Sequence, residues 1–310
     1  MGFDLNALER AVTEHGRVAR VVITGIQGSS PREIGASMLV WQGGQSGTIG
    51  GGALEFELAK SVLNVADKRL SRHALGPELG QCCGGAVQIV TEVFEQNTLP
   101  TSQNGVVVRA VDGSHTMPLR VQKLLKDARG GALIETHVCQ GWFIEAVHKT
   151  TRALWIWGAG HVGRALVNTL APLPEFATTW IDTSEDRFPN NVPEDVTKLP
   201  AQNPAALVKH APKNAEHIIL TYSHALDLEL CHQLLTHDFQ FAGLIGSKSK
   251  WARFQSRLAA LGHSNAQISR ITCPIGNPIL GKHPQAIAIG VGSSLLKASQ
   301  TVAQTQRNSA

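Results

Sequence analysis

The sequence has few charged and few aromatic residues, and it contains no long apolar run. Of its 310 residues, 17% are charged and 5% are aromatic, with a single tyrosine. The 28 lysines and arginines barely outnumber the 24 aspartates and glutamates, and they form no basic stripe interleaved with aromatics. This composition argues against a nucleic-acid binder, a charged disordered chain and a polybasic anchor. No run reaches the ~20 apolar residues of a membrane-spanning helix, so we expect neither nucleic acid nor membrane as a partner.

Cysteine is also scarce, and its distribution indicates the cellular compartment. The five cysteines are odd in number and have no repeating spacing, which does not fit a secreted disulfide framework. The first residues lack the basic region of a secretory signal. We therefore expect a cytoplasmic protein.

Glycine, in contrast, is abundant: 30 of the 310 residues, where average usage is ~7%. The chain length suggests about two domains, and the polar stretch 148–152 is the best boundary. Residues 1–150 are predicted to be α+β, with a long helix from about Ala53 to Leu70. Residues 151–310 alternate strands with helices, which predicts a Rossmann-like, doubly wound parallel sheet. The predicted fold class is α/β overall.

One glycine cluster, Gly158, Gly160 and Gly163, follows an apolar strand and opens a helix. This context is typical of a dinucleotide-binding turn, where a pyrophosphate approaches the helix N-terminus. Asp182 ends the next strand, the position from which a carboxylate would hold a ribose hydroxyl. The alternative is that the glycines allow close packing of strand and helix and that Asp182 is a cap, because a fold does not specify a ligand.

A second cluster, Gly50, Gly51 and Gly52, precedes the long helix predicted in the first domain. Consecutive glycines before a helix can direct backbone N–H groups at an anion such as a phosphate. Upstream, Ser29, Ser30 and Arg32 add hydroxyls and a guanidinium. The alternative is an ordinary turn followed by a helix start.

The adjacent cysteines Cys82 and Cys83, preceded by Gln81 and followed by two glycines, are the most unusual local feature. A thiolate is a soft donor that suits sulfur transfer or a transition metal such as molybdenum. Zinc does not fit, since no CxxC pair occurs elsewhere in the chain. The alternative is that free cysteines are small buried hydrophobes. That alternative suits the other three cysteines, Cys139, Cys231 and Cys273.

Polar residues also follow strands in the second domain. His224 comes after one predicted strand, and Ser247 and Lys248 come after the next. Doubly wound sheets bind ligands at the carboxyl ends of their strands, so these residues suggest an anionic ligand. Taken singly, Ser247 can be a helix N-cap and His224 a surface residue.

Six segments in this order resemble the XdhC family of xanthine dehydrogenase accessory proteins, which are related to the CoxI proteins. The matching segments are Gly28–Arg32 with Gly35, Gly47–Gly52, Leu79–Gly85, Trp157–Gly163, Ser223–Asp227 and Leu244–Lys248. The resemblance covers nearly the whole chain, and the double-cysteine segment is its most specific part. Many relatives carry a cysteine directly after the glycine nest, where this chain has Ala53. Any thiolate role therefore falls on Cys82 or Cys83.

The resemblance implies a cytoplasmic, dimeric carrier of the molybdenum cofactor in its molybdopterin form, rather than an enzyme. Such proteins protect the cofactor, support its sulfuration by a separate cysteine desulfurase, and insert it into apo-xanthine dehydrogenase. The rival hypothesis is an NAD(P)-dependent oxidoreductase that uses Gly158, Gly160, Gly163 and Asp182, with His224 as the acid/base. A third possibility is that the Rossmann-like domain is an empty scaffold for protein contacts.

Overall fold

The structure, a computed structural model, divides the chain into two units, Met1–Lys149 and Thr150–Ala310. It describes residues 2–64, 69–76, 84–113, 116–132, 134–148 and 152–308, with side chains as far as residue 297. Among these residues, no helix combines the length and the hydropathy that crossing a membrane requires. The two units are considered in turn.

Unit 1 is built mainly from antiparallel strands. Its elements are α1 (Leu5–His15), β1 (Val18–Gln27), β2 (Ser37–Trp41), β3 (Gly44–Gly47), α2 (Gly52–Ser61), β4 (Arg69–Ala74), β5 (Ala86–Phe94), β6 (Val106–Ala110), α3 (Leu119–Arg129), β7 (His137–Cys139) and β8 (Trp142–Ala146). A five-stranded sheet has the order β3-β2-β1-β5-β4, and a three-stranded sheet has the order β6-β8-β7. The long β1–β5 pairing forms the centre of the larger sheet.

Four charged side chains are buried where the two sheets of unit 1 face each other. Arg20 of β1 lies 2.8 Å from Glu145 of β8, and Arg109 of β6 lies 2.6 Å from Glu92 of β5. Arg109 also reaches Glu145 at 2.5 Å, which joins the four groups into one network. Burial by itself would raise the pKa of Glu145, but the two arginines hold it below its usual value. The network is electrically neutral, so it can be buried between the sheets.

Unit 2 contains a parallel sheet of six strands. Its elements are β9 (Arg152–Trp157), α4 (His161–Leu170), β10 (Phe176–Asp182), β11 (Val196–Pro200), β12 (Glu216–Ile219), α5 (His224–Leu235), β13 (Phe241–Leu244), α6 (Lys248–Ala260), α7 (Asn265–Ile268), β14 (Ile271–Thr272) and α8 (Pro284–Asn308). The strand order is β11-β10-β9-β12-β13-β14. Numbered within the unit, this is 3-2-1-4-5-6, the order of dinucleotide-binding folds.

Each face of this sheet has its own apolar core. On one face, Leu166 and Leu170 of α4 pack with Val291 and Leu295 of α8. On the other face, residues of α5 and α6, including Leu234 and Phe254, cover the sheet. Because both faces are covered, the strands are buried and mostly apolar. The predicted fold class, a doubly wound C-terminal sheet with an N-terminal α+β domain, is confirmed.

The long helix predicted from Ala53 to Leu70 is wrong at its C-terminal end. Helix α2 ends at Ser61, a 3₁₀ turn covers Val62–Asn64, and Leu70 lies in strand β4. Leu70 pairs with Val90 of β5 in the sheet. The 3.6-residue spacing of apolar residues continues past the helix, but pairing with β5 determines the structure there.

Candidate functional site

The glycines of the turn between β9 and α4 have different surroundings. A Cβ atom on Gly163 would lie 2.0 Å from the carbonyl oxygen of Gly158, and one on Gly158 would lie 2.5 Å from that of Leu220. Gly158 also has a φ of +124°, which side chains rarely adopt. Gly160 differs, since a Cβ there would meet nothing within 4 Å. Packing therefore explains Gly158 and Gly163, whereas Gly160 leaves open space beside the backbone.

Asp182, at the end of β10, is engaged within the protein. One carboxylate oxygen accepts a hydrogen bond of 2.6 Å from the backbone N–H of Ala159, and the other accepts one of 2.6 Å from Thr183. The side chain of Arg187 approaches the same carboxylate at 3.4 Å. Asp182 is 3% exposed. This geometry matches the alternative in which Asp182 caps the turn, and it leaves the carboxylate little surface for a ribose hydroxyl.

A cleft of about 490 Å³ opens beside the turn. It lies at the carboxyl ends of β9 and β12, where the strand order reverses and doubly wound sheets bind their ligands. The lining residues come from the segments that follow β9, β10, β12 and β13. They are Gly160, His161, Val162, Gly163, Arg187, Leu220, Thr221, Tyr222, His224, Ile245, Gly246, Ser247 and Lys250. Of the residues predicted for this unit, Gly160, Gly163, His224 and Ser247 meet here.

Three helices begin at this cleft, and their N-termini differ. Ser223 caps α5 by accepting a hydrogen bond from the N–H of Leu226, and Ser247 caps α6 by accepting one from that of Lys250. Helix α4 begins after Gly160 with no side-chain cap. The first N–H groups of a helix lack intrahelical partners and favour an anion. The α4 N-terminus is therefore the uncapped one of the three.

The positive charges in the cleft come from Arg187 and Lys250 rather than from Lys248. The Lys250 ammonium donates to Asp227 at 2.5 Å, and Asp227 also accepts from Thr221. Arg187 lies over the ring of Tyr222 at 4.6 Å. Lys248 follows β13 at the start of α6, as predicted, but it is exposed and is not among the residues that line the cleft, so its contact with a cofactor stays a prediction. Helical geometry explains why Lys250 lines the cleft and Lys248 does not, because side chains two residues apart point to nearly opposite sides of a helix.

Both cysteines of unit 2, Cys231 and Cys273, have raised pKa values. Burial raises the pKa of Cys273 to about 11, and burial together with the nearby Asp227 carboxylate raises that of Cys231 further. Cys139 of unit 1 is buried too. Such cysteines behave as small hydrophobes and are poor nucleophiles.

In unit 1 the glycine nest at Gly50–Gly52 surrounds a carboxylate of the same chain. One oxygen of Glu55 accepts hydrogen bonds of 2.9 Å from the N–H groups of Ile49 and Gly51, and one of 2.6 Å from Thr48. Burial by itself would raise the pKa of Glu55, but these hydrogen bonds lower it below its usual value. The nest does bind an anion, and that anion is Glu55. Sequence reasoning overlooked this role of Glu55.

The other predicted groups of unit 1 converge near this nest. Pro31 lies where a Cβ atom on Gly50 would point, at 2.5 Å, and Arg32 donates to the carbonyl of Thr48. Arg32 also bonds to Glu33, and Ser30 bonds to the Arg32 carbonyl. Beside Ser29, a Cβ on Gly85 would lie 2.1 Å from the Ser29 carbonyl oxygen. The loop after β1 therefore lies close to both the nest and Gly85, the last residue of the double-cysteine segment.

The predicted residues Gln81, Cys82 and Cys83 lie outside the described residues. Within the described ranges, no group of three or more His, Cys, Asp or Glu residues is arranged to hold a metal ion. The contact of a thiolate with molybdenum or sulfur therefore stays a prediction for Cys82 and Cys83.

Comparison with known families gives one match in each unit. Residues 154–295 match the XdhC Rossmann domain, and residues 11–75 match the XdhC and CoxI family. The chain belongs to the XdhC and CoxI family. The predicted family is thereby confirmed, and the glycine turn, the cleft and α4–α6 all lie in the XdhC Rossmann domain.

Two known proteins are similar to this chain. A chain from Bacillus halodurans described as a xanthine dehydrogenase has 22% identity and a TM-score of 0.69, with 96% of each chain covered. The Escherichia coli K12 protein YqeB is 24% identical over 286 residues, 90% of this chain. The chain spans only 43% of the length of YqeB. At these identities, the solved structure establishes the fold.

Proposed function

We propose that this XdhC/CoxI protein binds the molybdenum cofactor, in its molybdopterin form, and takes part in the maturation of xanthine dehydrogenase. It would protect the cofactor, support its sulfuration by a separate cysteine desulfurase, and insert it into apo-xanthine dehydrogenase. In this proposal it is a cytoplasmic homodimer and a carrier rather than an enzyme. The family membership and the fold shared with the Bacillus halodurans chain support the proposal.

The observation that carries the proposal is the uncapped N-terminus of α4 in the cleft of the XdhC Rossmann domain. The open space beside Gly160 lets a phosphate reach the N–H groups of the first helical turn. Arg187 lines the same cleft and adds a guanidinium, the side chain best suited to phosphate. A cleft of about 490 Å³ is within the range of small-molecule sites. These residues fit the phosphate end of the cofactor.

The dithiolene and molybdenum end needs a soft donor, which the described part of the cleft does not supply. Cys273 is near Gly246, but its raised pKa keeps the thiol protonated near neutral pH. Cys82 and Cys83 of unit 1 stay the chain's predicted soft donors. When bound, the cofactor supplies the molybdenum centre, and the chain holds its phosphate and shields it from water.

The rival function, an NAD(P)-dependent oxidoreductase, has less support from the same cleft. In dinucleotide enzymes the acid at the end of the second strand binds the ribose. Here both oxygens of Asp182 are hydrogen-bonded within the protein. His224 lines the cleft and is the candidate acid/base of this rival function. Arg187 would suit the extra phosphate of NADP, so NADPH belongs among the ligands tested.

The test is co-purification of cofactor from cells that synthesise it. Molybdenum is measured by mass spectrometry, and the pterin by fluorescence after oxidation, each per chain. The variant Gly160→Glu places a carboxylate beside the α4 N-terminus, and we expect it to lower bound pterin about tenfold or more because two anions compete for one site. Asn168→Glu, which adds the same charge at an exposed position of α4, is the control and should retain the cofactor.

Two further results bear on the proposal. The double variant Cys82→Ala with Cys83→Ala should weaken cofactor binding or leave the target enzyme unsulfurated; normal binding and activation would remove the thiolates from the proposal. A titration with NADH and NADPH tests the rival. Tight binding with turnover of a carbonyl compound, and no pterin on the purified chain, would replace the carrier function with an oxidoreductase.

A further inference from the structure

Strand β6 is an edge strand of unit 1, and its hydrogen-bonding pattern identifies the groups on its open side. Among the described residues, its ladder partner is β8 alone. The N–H of Val147 bonds to the Gly105 carbonyl and that of Val111 bonds to the Gly141 carbonyl, so the odd-numbered residues of β6 face β8. Val106 points the other way and pairs with Gln103. By alternation, Val108 and Ala110 direct their N–H and C=O groups outward, where no described residue bonds to them.

A groove of about 450 Å³ runs along this side of β6. The end of β5 (Val93 and Phe94) and the segment around Pro100 form one wall, and Met117 and Leu125 form the other. The lining also includes the polar residues Thr98, Thr101 and Gln103. Two walls beside an unpaired strand edge are the features of a surface that receives an extended peptide as an added strand. Backbone hydrogen bonds would hold such a peptide, and the walls would contact its alternate side chains.

Helix α3, which supplies the Leu125 wall, is strongly basic. It carries four basic side chains and a single acidic one, Asp127. Val121, Leu124 and Ala128 pack onto the three-stranded sheet, so the basic side chains are exposed. Arg129 lies one turn beyond Leu125 on the groove side, and Lys126 is its neighbour at three residues' spacing. Arg120 and Lys123 lie on the opposite flank of the helix.

We infer that the β6 groove binds an extended acidic segment of a partner protein by strand addition. Val108 and Ala110 exchange backbone hydrogen bonds with the segment. The apolar side chains of the segment lie against the wall formed by Val93 and Phe94, and the carboxylates that alternate with them face α3, which carries Lys126 and Arg129. This site is independent of the proposed cofactor cleft, which belongs to unit 2.

The test uses the full chain and a fluorescent, acetylated hexapeptide that alternates glutamate and valine. Binding is measured by fluorescence anisotropy, and hydrogen exchange of the Val108 and Ala110 amides is followed by NMR. We expect exchange at both amides to slow about tenfold when about nine-tenths of the chain is bound. A hexapeptide that alternates lysine and valine is the matched probe and should not bind.

Two kinds of variant separate the backbone contribution from the charge contribution. Val108→Pro removes the outward N–H of an edge strand while leaving the ladder with β8 intact, and it should abolish peptide binding. The pair Lys126→Glu with Arg129→Glu should raise the Kd about tenfold, whereas Arg120→Glu with Lys123→Glu should leave it within about twofold. Unchanged circular dichroism for both charge pairs establishes that the fold is retained.

The opposite results would overturn the inference. If the lysine peptide bound equally well, the partner segment would not need to be acidic. If the glutamate peptide bound without slowing amide exchange at Val108, it would not bind by strand addition. Equal weakening by the two charge pairs would mean that the helix acts through its total charge, with no role for the groove. Cofactor co-purification measured on the same variants should stay at the wild-type level, which separates this result from failure of the proposed function.

Discussion

This XdhC/CoxI protein has two glycine-rich loops, Gly50–Gly52 in unit 1 and Gly158–Gly163 in unit 2. Each contacts a carboxylate of the same chain, but the two contacts differ. Each lies between a strand and a helix, one in each unit. In unit 1 the carboxylate of Glu55 accepts hydrogen bonds from the N–H groups of Ile49 and Gly51. In unit 2 the carboxylate of Asp182 bonds to Ala159, before the helix, and α4 begins without a side-chain cap. A glycine loop is available to an external anion only when the chain's own carboxylates leave its N–H groups unpaired.

The two carboxylates also differ in burial. Asp182 is 3% exposed and holds the start of the turn together, whereas Glu55 is half-buried at the surface of unit 1. A hydrogen bond to a buried charge contributes more to stability than one shared with water. The free energy of unfolding should therefore depend more on the unit 2 loop than on the unit 1 loop. This holds although the helix that follows the unit 2 loop has an N-terminus without a side-chain cap.

The largest effect is expected for Gly163→Ala. Its Cβ would lie 2.0 Å from the Gly158 carbonyl oxygen, so α4 and the turn would have to separate. We expect a loss of about 3 kcal/mol in the free energy of unfolding, measured by urea denaturation followed by circular dichroism. Gly113→Ala is not a suitable control, because Gly113 has a positive φ. The control is Ala165→Gly, which measures how much free energy of unfolding an ordinary exchange between alanine and glycine costs in α4. A stability equal to wild type would mean that the turn can rearrange freely.

Asp182→Ala is expected to have the next largest effect. It leaves the N–H of Ala159 buried without its acceptor and removes the carboxylate that faces Arg187. A loss of about 2 kcal/mol is expected in urea denaturation at pH 7. Glu194→Ala, at an exposed acid between β10 and β11, should leave the urea midpoint unchanged. If Asp182→Ala left stability unchanged but sharply lowered the affinity for NADPH, Asp182 would be a nucleotide-binding residue. That result would support the rival function, an NAD(P)-dependent oxidoreductase.

Sequence patterns predicted the parallel sheet of unit 2 because its helices and strands have distinct periods and lengths. They did not predict the strand order, which depends on contacts between distant segments. Strand β11 was not predicted. It is an edge strand in which only Val196 is buried, so its sequence lacks the run of apolar residues that marks the other strands. The helix predicted to reach Leu70 failed because pairing with β5, far along the chain, competes with local helical spacing.

The candidate site was predicted in part for the same reason. Gly160 and Ser247 lie next to strand ends, so local sequence was enough to locate them in the cleft. Arg187 and Lys250 also line it, but Arg187 sits in a 3₁₀ turn without a motif, and Lys250 reaches the cleft from within α6. The carboxylate of Glu55 binds to its own loop, four to seven residues earlier in the chain, and only the backbone conformation of that loop makes the contact possible.

Glu55→Gln should have a smaller effect on stability, and that effect should depend on pH. The amide keeps the shape of Glu55 but loses its charge, so we expect a loss of about 1 kcal/mol at pH 7. Because the folded state lowers the pKa of Glu55, this contribution is fully present above the usual value of 4.5 and is lost as the pH falls through the folded-state value. Urea denaturation of wild type and variant should therefore converge at acidic pH.

The variant Glu55→Ala tests whether the glycine nest of unit 1 can accept an external anion. Removing the carboxylate frees the N–H groups of Ile49 and Gly51 for an external anion. Inorganic phosphate should then raise the Tm of the variant more than that of wild type, and Glu57→Ala, an exposed acid on the same helix, should show no such gain. Equal phosphate responses in all three proteins would mean that the unit 1 nest cannot accept an external anion.

The smallest effect on stability is expected for Gly160→Ala, which completes the contrast with Gly163. Gly160 has a φ of −72° and space around its Cβ, so alanine should change the free energy of unfolding by no more than about 0.5 kcal/mol. The added methyl group occupies the approach to the α4 N-terminus, so bound pterin per purified chain should fall several-fold. A variant that is as stable as wild type and retains the full amount of pterin would exclude the α4 N-terminus as the phosphate site. A variant that is as unstable as Gly163→Ala would give Gly160 a packing role, and the two loops would then differ less than their hydrogen bonds indicate.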